Sequence, residues 1–267
     1  MNGENNMNLN IKDLNYLNNI DINYEVAGED NVETVILLHG WGANLKTMFP
    51  ISKHLSKKYK VYSIDLPGFG KSSEPNSGYT VSDYSKIVLK FIELLNIEDP
   101  TLIGHSFGGR VILKMGGEFG YSPKKIILID SAGIKPKRSI NYYLKVYSFK
   151  ATKGIMKLIY NKEKYEKTVA ALRLKAGSPD YKAASENMKK VFVNVVNEDL
   201  KFCLPKITVP TLLIWGENDK DTPVKDAKIF DKLIPDSGLI ILKDAGHFSY
   251  LDKLDEFNVI VSKFMEG

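Results

Sequence analysis

Short runs of apolar residues on consecutive positions constrain this chain more than any other feature, and they recur at residues 35–38, 61–64, 102–103, 126–129, 212–215 and 239–242. Successive side chains of a strand point to opposite faces, so an unbroken apolar run implies burial on both. That is the habit of a parallel sheet covered by helices on each side. A helix-capable stretch lies between runs at residues 81–95, where Val81, Tyr84, Val88, Phe91, Ile92 and Leu95 follow near-helical spacing and Ser82 is expected to cap the start. The alternation predicts a doubly wound α/β sheet with right-handed crossovers.

The rhythm stops between residues 134 and 199. No strand-like run occurs there, and helix formers interleaved with Tyr and Lys predict a helical insertion. Ile140, Tyr143, Leu144 and Tyr147 recur at helical spacing, as do Met188, Phe192, Val195 and Val196 within residues 185–196. Gly177, Ser178 and Pro179 are expected to separate the helices. The expected units are therefore a core of residues 1–133 and 200–267 with an insertion of residues 134–199.

At 43% apolar and 26% charged residues, the composition is that of a globular protein with enough apolar material for a full core. Cys203 is the one cysteine, so no intramolecular disulfide is available and a cytoplasmic location is the default expectation. The Asn-rich residues 1–10 carry neither a basic start nor an apolar stretch, so no signal peptide is read there. No apolar run approaches the length of a membrane span, and no stable membrane insertion is expected.

The chemistry concentrates where apolar runs end. Gly104-His105-Ser106-Phe107-Gly108 is a G-x-S-x-G string placed directly after one run and before a helix-capable stretch. A serine that attacks needs a sharp strand-to-helix turn that projects its Oγ, and the crowding of that turn requires small neighbours, which Gly104 and Gly108 supply. In isolation such a string is also a glycine-rich turn whose serine caps a helix. A neutral hydroxyl is a weak nucleophile until an imidazole takes its proton, and that imidazole needs a carboxylate to fix its tautomer.

Of His39, His54, His105 and His247, the last is best placed as the base, in Asp244-Ala245-Gly246-His247-Phe248 after the final run. Asp219 follows the run at 212–215 and lies between the serine and the histidine in chain order, with Asp130 and Glu217 as rivals. The plainer reading of Asp219 is a loop aspartate capping the next turn before Pro223, and the acid role is the one favoured here. Backbone N–H groups of Phe107 and of Trp41, in the loop His39-Gly40-Trp41-Gly42, are the expected donors to an oxyanion. Gly40, Phe248 and Tyr143 are the expected pocket residues. No metal or organic cofactor is expected.

Taken in order, His39-Gly40-Trp41-Gly42, Asp65-Leu66-Pro67-Gly68-Phe69-Gly70-Lys71-Ser72, Gly104-His105-Ser106-Phe107-Gly108-Gly109 and Gly246-His247-Phe248 resemble the signatures of the α/β-hydrolase superfamily. The resemblance implies an α/β-hydrolase fold: a mostly parallel eight-stranded sheet flanked by helices, with a helical cap inserted after the sixth strand. Dehalogenases and epoxide hydrolases of that superfamily have an aspartate where Ser106 stands, so neither reaction is expected. Serine members include carboxylesterases, thioesterases, carbon–carbon bond hydrolases and haloperoxidase-like enzymes, and some relatives are non-hydrolytic receptors. The family often has a proline two residues after the histidine, where this chain has Ser249.

The expectation from these residues is an esterase-like serine hydrolase cleaving an ester or thioester through an acyl-enzyme, with carbon–carbon hydrolysis or a receptor role as alternatives. The formal charge of +5 is uneven: residues 134–175 hold twelve Lys or Arg against two Glu. Lys135, Lys137, Arg138, Tyr142, Tyr143, Lys145, Tyr147 and Lys150 crowd together there. An anionic or lipid-like acyl substrate is one reading, and a solvated helix face is the other. No nucleic-acid-binding module accompanies the charge.

Overall fold

A computed structural model describes residues 6–11, 19–75, 78–135, 148, 152–154, 156–176 and 178–267. Its strands are β1 (Asn6–Ile11), β2 (Ile20–Ala27), β3 (Thr34–Leu38), β4 (Lys60–Ile64), β5 (Thr101–His105), β6 (Lys125–Ile129), β7 (Thr211–Gly216) and β8 (Ser237–Leu242). They form one eight-stranded sheet in the order β1-β2-β4-β3-β5-β6-β7-β8. Strands β3 to β8 run parallel, while β1 and β2 are antiparallel to their neighbours at one edge.

Each apolar run falls in a strand, and the period of two divides its side chains between two cores. Ile36, Leu38, Leu102, Ile126, Leu128, Leu213 and Trp215 join one buried cluster. Val35, Leu37, Ile103, Ile127, Ile129, Leu212 and Ile214 join the other. The first cluster is covered by α2 (Val81–Leu94), α3 (Phe107–Gly117) and the helix Val224–Leu233. The second is covered by α1 (Phe49–Leu55) and the C-terminal helix Leu254–Glu266. Parallel order sends every crossover over a face, so β3, β5, β6 and β7 end along one rim where their following loops meet.

Helix α2 starts differently from the expectation that Ser82 caps it. Thr80 is the N-cap, and it forms a reciprocal box with Asp83, whose Oδ2 accepts from the Thr80 N–H at 2.8 Å. Ser82 already lies inside the helix and donates to Glu118 instead. The acid three residues beyond Thr80 satisfies a second orphan donor, which Ser82 has no partner in place to do.

Between β6 and β7 the described helices include Lys162–Ala176, Pro179–Ala183 and Glu186–Asn197. The last carries Met188, Val191 and Val195 into the first core cluster. The spacing of Ile140, Tyr143, Leu144 and Tyr147 lies outside the described residues, as do Lys137, Arg138, Tyr142, Lys145 and Lys150. No described helix is long and apolar enough to cross a membrane.

Candidate active site

Ser106 stands between β5 and α3 with φ +48° and ψ −103°, a conformation that non-glycine residues adopt only under constraint. The constraint is the close approach of α3 to the sheet. A Cβ on Gly108 would meet the carbonyl oxygen of Leu38 at 2.2 Å, and one on Gly104 would meet backbone atoms of Gly108 and Gly109 at 2.7 Å. The Gly108 N–H donates to the carbonyl of His39 at 3.1 Å, fixing the first turn of the helix against the end of β3.

Three side chains from three rim loops converge. The Ser106 Oγ lies 3.0 Å from His247 Nε2, and His247 Nδ1 lies 2.9 Å from Asp219 Oδ2. Asp219 Oδ1 also accepts the N–H groups of Asp221 at 2.8 Å and Thr222 at 3.0 Å, and Oδ2 accepts the Thr222 hydroxyl at 2.6 Å. One carboxylate thus accepts the amides of its own turn and contacts His247 Nδ1 as well. Sequence reasoning missed Thr222, whose position in the turn after Asp219 is its one visible signal.

Electrostatics follow the geometry. Burial works to raise the Asp219 carboxyl, but hydrogen bonds from His247 and Thr222 outweigh it and hold the pKa below its ordinary value. Burial works to lower His247, but the hydrogen bond and charge of Asp219 hold it above the usual histidine range. An ionised carboxylate on Nδ1 leaves Nε2 as the basic nitrogen facing Ser106.

The other histidines do different work. His39 is fully buried, donates from Nδ1 to the Gly40 carbonyl at 2.7 Å and accepts the Leu66 N–H on Nε2 at 3.0 Å. His105 donates from Nε2 to the carbonyl of His247 at 2.8 Å, and burial together with the charge of His247 pushes its pKa down to about 3. It is a neutral brace beneath the base. His54, on α1, bonds Ser262 of the C-terminal helix.

Of the rival acids, Asp130 is fully buried, and its oxygens accept the N–H groups of Gly216 at 2.8 Å and Ser249 at 3.0 Å. Glu217 accepts the N–H of Asp244 and is exposed. Neither bonds His247.

A cavity of about 430 Å³ opens over Ser106, lined by Gly40, Trp41, Phe107, Phe192, His247 and Phe248 among others. Trp41 packs edge-on against Phe69 and Phe107, and its ring centre lies 5.1 Å from that of Phe192. Phe248 is 41% exposed and covers His105. Tyr143 lies outside the described residues. Asp219, Asp221 and His247 form a group whose ligand atoms lie within 4.8 Å of one another, but Asp219 and His247 already satisfy each other, and the remaining nitrogen of His247 faces Ser106.

The family model for the alpha/beta hydrolase fold matches residues 33–153 and 155–254. The chain is 27% identical to a pimeloyl-(acyl-carrier protein) methyl ester esterase of Legionella pneumophila, covering 87% of this chain and 95% of the relative. It is 25% identical to Lipase 1 of Psychrobacter immobilis, covering 93% and 81% respectively. Among solved structures, an esterase from Exiguobacterium antarcticum superposes with a TM-score of 0.74 at 24% identity, over 98% of this chain and all of that one. This chain is a member of the alpha/beta hydrolase fold family.

Proposed function

We propose that the protein is a serine hydrolase of small carboxylic esters or thioesters, in which Ser106 is the nucleophile, His247 the base and Asp219 the acid that orients it. The observation that carries the proposal is the continuous line from Ser106 Oγ through both nitrogens of His247 to Asp219 Oδ2, at 3.0 and 2.9 Å, on the floor of a cavity. The esterase and lipase names of distant relatives support the substrate class.

His247 Nε2 takes the Ser106 proton as Oγ attacks the acyl carbonyl. The carbonyl oxygen becomes an oxyanion within reach of two main-chain donors. Phe107 is the first residue of α3, so its N–H has no acceptor within the helix. The Gly40 carbonyl is held by the His39 Nδ1–H and the Ala43 N–H. In a planar trans peptide the N–H points opposite to the carbonyl, so the Trp41 N–H turns away from those anchors. Fixed donors of this kind are each worth about 3–4 kcal/mol at a developing oxyanion. The protonated His247 then gives its proton to the leaving alcohol or thiol. A water activated by His247 releases the acid and restores Ser106.

The insertion acts in this reading as a cap, its helix Glu186–Asn197 bringing Phe192 against Trp41 as an apolar wall of the cavity. Hydrolysis of a chain-length series of nitrophenyl esters by wild type and Ser106→Ala tests the proposal. Turnover that disappears in the variant is the expected result, and turnover equal in both, or absent from both, rejects it.

A further inference from the structure

Arg110 lies one turn along α3 from Ser106 and lines the same cavity, yet it is 4% exposed. Its guanidinium has five N–H donors in a fixed fork, and its hydrogen bond in the structure runs from Nη1 to the main-chain carbonyl of Glu198 at 2.9 Å. The carboxylate of Glu198 is engaged elsewhere, because Lys114 takes it at 2.7 Å and pairs with Glu118 as well. Asp199 is exposed and accepts the Lys201 N–H. Among the described residues, then, Lys114 is doubly paired and Arg110, one turn earlier, has no carboxylate in ion-pair contact.

The charges of Glu198 and Asp199 act on Arg110 without contact, and burial outweighs them and lowers its pKa to about 10, which still leaves it charged at neutral pH. The other charged side chains lining the cavity are Asp221, Asp226 and His247, so Arg110 is the one permanent cation in its described wall. We propose that Arg110 is the anchor for a substrate carboxylate, making the site selective for esters that carry a second, carboxylate group several bonds from the scissile carbonyl. The guanidinium fork matches the two oxygens of a carboxylate. The position of Arg110 on the helix that begins at the nucleophile fixes where the substrate's charged end sits relative to its reacting end. Asp221 and Asp226 repel the same anion and so strengthen the preference for one binding direction.

This inference rests on the serine hydrolase reading, and its test separates the two. The kcat/KM ratio of nitrophenyl hemiglutarate and hemiadipate to nitrophenyl butyrate and hexanoate is measured for wild type, Arg110→Lys and Arg110→Met. The wild-type ratio is expected to favour the anionic ester and to fall about 10- to 100-fold in Arg110→Met, mainly through KM, with Arg110→Lys between. A ratio that does not move, whatever happens to both rates or to the melting temperature, makes Arg110 a structural tie to Glu198 and overturns the proposal. Wild type alone gives a second readout should the variants fail to fold. Free glutarate is expected to change the fluorescence of Trp41 and to compete with the neutral ester far better than valeramide does; equal effects of the two overturn the proposal. Glutarate binding in a protein that hydrolyses no ester would leave the anion site standing while the hydrolase reading falls.

Discussion

The Ser249 N–H donates to Asp130 Oδ2 at 3.0 Å, so the acid that follows β6 grips the loop that carries His247 two residues earlier. The other oxygen of Asp130 accepts the N–H of Gly216 at the end of β7, where the Asp219 loop begins. One buried carboxyl thus ties together the two loops that bring His247 to Asp219. A proline at position 249 would have no N–H to give.

Asp130→Asn replaces one acceptor by an NH₂ group facing a donor. It is expected to destabilise the fold by about 1–3 kcal/mol and to lower kcat by misplacing His247. Burial pushes the Asp130 carboxyl up to about 7 despite those bonds. Between its ordinary value of 3.8 and about 7, the folded chain holds a proton that the unfolded chain has released. That contribution favours folding at the acid end and is lost as pH rises through about 7. Melting temperatures of wild type and variant should therefore differ most at or below about pH 4, draw together as pH rises to about 7, and stay level above it; a gap that widens with pH would refute this.

His247 must be neutral to accept the serine proton, and Asp219 holds its pKa above the usual value. The expected kcat/KM is flat at alkaline pH and falls tenfold per unit below an apparent pKa higher than about 6.5. A pH–rate profile checks it, and an apparent pKa well below that value would contradict the electrostatic account.

Asp219→Asn removes both the charge and the acceptor that fix the tautomer of His247. Loss of kcat on the order of 10⁴ is expected, by analogy with the corresponding change in serine proteases. The apparent pKa of the remaining activity should drop, because burial then acts on His247 without its main opposing interaction. A purely turn-capping Asp219 would lower stability while leaving that pKa in place.

Gly108→Ala puts a methyl group 2.2 Å from the Leu38 carbonyl oxygen, which belongs to the sheet and cannot swing aside. The expected cost is about 1–3 kcal/mol or more, together with a displaced Phe107 amide. Thermal unfolding and ester turnover should both decline, and a variant as stable as wild type would show that α3 is free to move.

The parallel part of the sheet was legible because β3 to β7 are buried on both faces and announce themselves as apolar runs, and the edge strand β8, though partly exposed, carries such a run as well. Strands β1 and β2 were not, because an edge pair with one wet face alternates. Ile20, Ile22 and Tyr24 are buried while Asp21 is exposed. Asn8 and Asn10 break β1 in the same way. At the site, Ser106, His247 and Asp219 could be named because each follows a strand. The bracing by His39, His105 and Asp130 could not, since it depends on which carbonyls and amides the fold brings within 3 Å. Arg110 gave no signal either; that it contacts the main chain of Glu198 while Lys114 holds the carboxylate is visible only in the structure.

The central claim is that Ser106 is the nucleophile, and labelling with a fluorophosphonate followed by intact-mass and peptide analysis tests it most directly. One adduct per chain on Ser106, abolished in Ser106→Ala and much slower in His247→Ala, is the expected result. An enzyme that turns over esters but carries the adduct on another residue, or carries none, would contradict the account.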